Sequence, residues 1–205
     1  MSFITLPVKN LSQSDVYKLM IGGIIPRPIA FISTLNESGS VNLAPFSFFN
    51  GVSSKPACVV VSIGYKSNDD KKDTLRNIER TKEFVINSAD ESIITSVVAT
   101  AAAYDYDVSE LEATELTPIT STVVKPPRIS ESSFQMECSL HQVVRLGDDT
   151  DGNQLVIGKI EVFHVKPEIY KDGKIDYQFY KPAARLGGIN YAKLADIYQI
   201  PIPKV

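Results

Sequence analysis

The chain has 205 residues, 43% of them hydrophobic and 22% charged, with 21 Lys and Arg against 24 Asp and Glu. That length suits one compact domain over 1–205, and the balance excludes a disordered chain, a coiled coil or a fibre. A net charge of −3 without a basic cluster argues against a nucleic-acid partner, and no apolar run reaches the ~20 residues that span a bilayer.

The opening Met1-Ser2-Phe3-Ile4-Thr5-Leu6-Pro7 lacks the basic-then-apolar layout of a signal peptide, so a cytoplasmic protein is expected. A polar cap followed by Val16, Leu19 and Met20 at helical spacing predicts a helix over 12–20. Pro26 and Pro28 then exclude helix. Residues 28–35 read as a strand, Asn36-Glu37-Ser38-Gly39 as a turn, and 41–44 as the returning strand. Residues 58–63 are a buried strand by composition. The mixed charge run 69–73 reads as a solvated loop.

A helix follows over 73–81, with Leu75 and Ile78 on one face, and then a strand over 84–87. Apolar spacing predicts a third helix over 91–103. Phe134, Met136, Cys138 and Leu140 alternate strictly and predict a long half-buried strand, turned by the polar loop 147–152 into another over 155–165. Lys171-Asp172-Gly173-Lys174 is a further hairpin turn. Cys58 and Cys138 sit in apolar runs and read as buried strand thiols; nothing argues for a disulfide, and no spacing suggests a metal site. Short strands joined by turns, with a few helices inserted, favour a closed antiparallel β-barrel over a doubly wound sheet.

No GxSxG, HExxH, P-loop or GxGxxG sequence is present, so a Rossmann nicotinamide site is not expected, and no catalytic residue is assigned. His141 and His164 lie in strands and read as structural. Three segments are unusual: Arg27-Pro28-Ile29-Ala30-Phe31-Ile32-Ser33-Thr34; Asn42-Leu43-Ala44-Pro45-Phe46-Ser47-Phe48-Phe49-Asn50-Gly51-Val52-Ser53-Ser54; and Lys71-Lys72-Asp73-Thr74-Leu75-Arg76-Asn77-Ile78. With Lys125-Pro126-Pro127-Arg128, Leu155-Val156-Ile157-Gly158 and Arg185-Leu186-Gly187-Gly188 plus Tyr191, the pattern resembles the flavin reductase-like family of FMN-binding split barrels over about 20–195.

That resemblance implies a mainly β fold, a six-stranded antiparallel Greek-key split β-barrel with a few inserted α-helices. It also implies a homodimer with FMN near the subunit interface. The implied activity is transfer of hydride from NAD(P)H to flavin, supplying a partner monooxygenase; the alternative is a non-catalytic electron carrier serving another redox protein.

A flavin ring is a flat apolar plate with hydrogen-bonding edges, and residues 44–54 supply phenylalanines interleaved with small donors. The resemblance lays this segment along the flavin as a loop, with Ser47, Phe48, Phe49, Asn50 and Ser53 as contacts. Composition alone would leave the phenylalanines in the core and the serines in turns. The phosphate is expected at Lys72 and Thr74, where a helix opens, with Asp73 capping that helix. Arg27 and Arg185 are the further cofactor-binding cations, on either the phosphate or the pyrimidine edge.

Overall fold

The computed structural model describes residues 2–66, 70–106, 108–147 and 152–203. Helix α1 (Gln13–Gly23) is capped by Ser12, whose side chain accepts from the Asp15 N–H. Strands β1 (Ala30–Leu35), β2 (Val41–Phe46), β3 (Phe49–Ser54) and β4 (Ala57–Gly64) follow, then helix α2 (Asp73–Thr81) and β5 (Glu83–Ser88). Helix α3 (Ile94–Ala99) is followed by the short strands β6 (Pro118–Ile119) and β7 (Arg128–Ile129) and the long hairpin of β8 (Phe134–Gly147) and β9 (Gly152–Val165). The predicted loop joining that hairpin falls mostly on 148–151, outside the described residues, as does Asp69 of the charge run. The small hairpins β10 (Tyr170–Lys171) with β11 (Lys174–Ile175), and β12 (Ala183–Arg185) with β13 (Tyr191–Lys193), complete the chain.

Seven strands form one antiparallel sheet in the order β2-β1-β5-β8-β9-β4-β3. Its two edges, β2 and β3, are separated in sequence only by Ser47 and Phe48. Three Cα steps cover at most ~11 Å, so the sheet must curl until its edges meet. This is the split barrel, and the split lies at Ser47-Phe48.

The seventh strand corrects the expectation of six. Residues 49–54 are not a loop but edge strand β3, registered on β4 from Phe49↔Val61 to Ser54↔Ala57 with an irregularity between Gly51 and Ser53. Its residues are mostly exposed, so pairing rather than burial makes it a strand.

β1 explains its own apolar run. Ala30 and Ile32 point into the barrel core with Val61, Ile63, Phe84 and Ile86, whereas Ile29 and Phe31 pack with Leu43, Ile93, Val97 and Ile129 outside it. A strand buried on both faces has no polar face to alternate with. Helix α2 plugs the barrel with Leu75 and Ile78, both fully buried. Gly158 on β9 leaves room for the Phe84 ring, because a Cβ there would stand 2.4 Å from Phe84 Cζ. Cys58 and Cys138 are both buried and free. The predicted 91–103 helix is shorter than expected, a 3-10 turn over Glu91–Ile93 and then α3, in keeping with its β-branched content. Among the described residues no helix is long and apolar enough to cross a membrane.

Candidate functional site

Two cavities meet along the free edge of β2. The wider, about 530 Å³, is lined by Asn42, Ala44 and Pro45 of β2, by Tyr65 and Lys66 beyond β4, by Lys72, Asp73 and Thr74 at the start of α2, by residues 100–104, and by Glu110. The narrower, about 210 Å³, is lined by Tyr17 and Ile21 of α1, by Arg27, Ile29, Pro45, Ser47, Val97 and Ala101, and by Arg185, Leu186, Gly188 and Tyr191. Pro45 and Ala101 line both, so the two adjoin, and together they make up the groove along β2. Proline is tolerated within β2 because this is an edge strand, where a missing N–H breaks no ladder bond.

The wide end is built around the N-terminus of α2. Thr74 is 1% exposed, and its Oγ1 accepts from Asn42 Nδ2 at 3.0 Å, tying the helix start to β2. A hydroxyl that accepts keeps its own proton to donate. Lys72 occupies the N-cap position, is exposed and makes no ion pair among the described residues. Asp73 does not cap the helix as expected. It is the first helical residue, no side chain caps this end, and its carboxylate is held by Lys66 Nζ at 2.8 and 3.0 Å. That pairing turns the acid toward Lys66. Lys71 pairs with Glu79 at 2.5 Å and does not line either cavity. Glu110 reaches across to accept the Leu43 N–H of β2 at 2.7 Å, and burial pushes its carboxyl pKa up.

The narrow end is cationic. Arg27 is 5% exposed; its Nη1 donates to Ile21 O at 2.7 Å and Ile24 O at 2.9 Å, its Nη2 to Leu186 O at 2.9 Å, and its Nε to Ser47 Oγ at 3.4 Å. Its backbone pairs with that of Arg185, at 3.0 and 2.9 Å. The Arg185 guanidinium donates to Tyr191 Oη and Gly188 O and stacks 4.5 Å from the Tyr191 ring centroid. Two guanidiniums and no carboxylate line this cavity, whereas the wide end sets Lys66 and Lys72 against Asp73 and Glu110.

The groove thus gathers Arg27, Ser47, Lys72, Thr74 and Arg185. The remaining expected contacts lie elsewhere. Phe48 stands beneath Arg27, whose guanidinium carbon is 5.8 Å from the ring centroid. Phe49 and Ser53 line a third, largely apolar cavity of about 720 Å³ with Phe134, Met136, Phe163 and Tyr180, which shares Ile29 with the narrow end. Asn50 is exposed on β3 opposite Val60. Lys66 and Glu110 were not anticipated from sequence. Lys66 stands two residues past the end of β4, a position that could have drawn attention. Glu110 acts on a residue 67 positions away and leaves no local signal.

The groove fits a phosphorylated flavin by its donor set. A phosphate needs a helix N-terminus and a free cation, which α2 and Lys72 supply. A flavin ring needs apolar walls and edge donors, which Ile29, Pro45, Val97, Tyr191, Ser47 and the arginines supply. Among the described residues no group of three or more His, Cys, Asp or Glu is placed to hold a metal.

Comparison with known proteins shows the family of the chain. The chain is 37% identical to nitrilotriacetate monooxygenase component B from Bacillus cereus, with a TM-score of 0.94 over 98% of this chain and 100% of that one. It is 29% identical to the 2-nitrobenzoate 2-nitroreductase NbaA of Pseudomonas fluorescens, with a TM-score of 0.88 over 98% and 96%. The Bacillus subtilis protein YwrF is 41% identical over 198 residues, 95% of this chain and 96% of its own. Residues 22–180 match the family described as the flavin reductase like domain. The chain belongs to the flavin reductase-like family, whose members imply a flavin cofactor.

Proposed function

We propose that this protein is an FMN-dependent NAD(P)H oxidoreductase that passes reduced flavin to a partner monooxygenase and works as a cytoplasmic homodimer. One observation carries the reading: two adjoining cavities set a helix N-terminus, with a lysine unpaired among the described residues, at one end and a serine and two arginines at the other. The similarity to a monooxygenase component B and to a nitroreductase supports redox work on or through flavin.

In this reading Lys72, the first N–H groups of α2 and the Thr74 hydroxyl hold the phosphate. Ser47 and Arg185 face the polar edge of the ring, and Ile29, Pro45 and Val97 wall its apolar part. Bound FMN supplies the electron-accepting ring for a reduced nicotinamide. The guanidiniums at the narrow end are placed where negative charge is best tolerated. With no Rossmann unit, the nicotinamide is held on the open side of the groove. The dimer is supported by α1, which buries no residue and exposes Tyr17, Leu19 and Met20. Two free buried thiols suit a reducing compartment.

Anaerobic mixing of the FMN-loaded protein with NADH or NADPH tests the activity. The proposal expects the visible flavin band to bleach at a rate that saturates with one of the nicotinamides. Bleaching by dithionite but by neither nicotinamide would instead make the protein an electron carrier.

A further inference from the structure

We propose that Arg27 is a positioning residue that fixes the Ser47 hydroxyl as a hydrogen-bond donor into the narrow end of the groove, selecting an acceptor atom of the ligand. The inference rests on the flavin reading above and adds to it a direction for the Ser47 proton.

The argument is an inventory of donors and acceptors. The Arg27 guanidinium is locked: three of its hydrogens go to Ile21 O, Ile24 O and Leu186 O, carbonyls from the end of α1 and from the segment after β12. The side chain is 5% exposed, and swinging into the groove would break these three bonds. Its Nε–H points at Ser47 Oγ, at 3.4 Å. Guanidinium only donates, so Ser47 Oγ must be the acceptor in this contact, and its own proton must point away from Arg27. Ser47 lies at the corner between β2 and β3 and lines the narrow cavity, where no carboxylate competes for that proton. A hydroxyl that accepts from a cation is also a stronger donor, because each bond polarises the next.

The consequence is selectivity. The flavin edge alternates acceptors, the ring nitrogens and carbonyl oxygens, with one N–H donor. Ser47 held in this way matches an acceptor and mismatches the N–H. Arg27 itself touches no ligand, and its contribution to binding passes through Ser47.

A double-mutant cycle tests this, reading the FMN dissociation constant by fluorescence and the shift of the near-ultraviolet flavin band relative to free FMN. Ser47→Ala is expected to weaken FMN about tenfold, the upper end for a hydrogen bond between neutral groups, and to abolish part of the band shift. Arg27→Lys is expected to remove the same part of the shift in the parent protein and none in the Ser47→Ala background. Equal effects of Arg27→Lys in both backgrounds would overturn the proposal. Should Arg27→Lys not fold, the serine alone decides. Ser47→Thr keeps the donor and should retain the band shift, whereas Ser47→Asp accepts without donating and should lose it. An Asp variant that keeps the shift, or a Thr variant that loses it as fully as the Asp variant, contradicts the proposal. Failure of the parent protein to bind FMN at all would refute the flavin reading itself, a different outcome from additive mutants in a protein that binds.

Discussion

Glu137 Oε1 stands 2.7 Å from His164 Nε2, at the centre of a buried junction between β8, β9 and the segment before β7. The same carboxylate accepts the backbone N–H groups of Thr122 and Val123 at 2.6 Å each and of Val124 at 3.1 Å, while its side chain is wholly buried. Burial pushes the Glu137 pKa up, but the Thr122, Val123 and Val124 N–H groups and His164 pull it down and prevail. Glu137 therefore stabilises the fold fully above the ordinary glutamate pKa of about 4.3, and the contribution is lost as pH falls through its lower folded value. Glu137→Gln is expected to cost about 1–3 kcal/mol at neutral pH, because the amide keeps one acceptor oxygen where the carboxylate has two, and its NH2 then faces N–H donors. Urea denaturation should show this deficit shrinking as pH drops below about 4. A deficit independent of pH would contradict the assignment.

Gly158 supplies a test of the barrel core. A Cβ at 2.4 Å from the fully buried Phe84 ring cannot be accommodated without displacing it. Gly158→Ala is expected to lose about 1–3 kcal/mol, the usual cost of overpacking. Gly158→Ala with Phe84→Leu should recover part of the loss, measurable as a Tm that rises relative to the single glycine variant.

Much of this architecture was legible before any coordinates. α2 and the β8–β9 pair carry clean periodicities, and Ser12 caps α1 as its sequence suggests. β3 was not legible, because Asn50, Gly51, Ser53 and Ser54 have weak strand preference and the strand exists through pairing with β4. Asp73 looked like a cap, but the nearby Lys66 captures its carboxylate. Within the site, the groove brings Ser47 together with Lys72, Thr74 and both arginines, while Phe49 and Ser53 line the apolar cavity beside β3. Glu110 and Lys66 owe their positions to contacts that no local pattern encodes.

Lys72 and Thr74 should separate binding from stability. Lys72 is exposed and unpaired among the described residues, so Lys72→Ala should leave Tm unchanged and weaken FMN roughly tenfold while barely touching riboflavin. Thr74→Val should weaken FMN and also cost about 1 kcal/mol of stability, because the Asn42 amide loses one of its two acceptors and keeps only Thr34 Oγ1. Equal weakening of FMN and riboflavin by Lys72→Ala would move the phosphate elsewhere, with Arg185 the next choice.

The exposed face of α1 predicts the assembly state. Leu19 and Met20 are 49% and 41% exposed on a helix that buries nothing. Sedimentation velocity should show a dimer, and Leu19→Glu should shift it toward monomer without loss of the folded far-ultraviolet spectrum. A monomeric parent protein with undiminished FMN affinity would exclude the dimer.

The central claim is that the groove along β2 holds a phosphorylated flavin. Calorimetric titration of the purified protein with FMN, followed in parallel by visible absorbance, tests it most directly. The account predicts heat and a flavin spectral shift that saturate together at one FMN per chain, with riboflavin binding more weakly. No heat and no spectral shift with FMN at high micromolar concentration would contradict it.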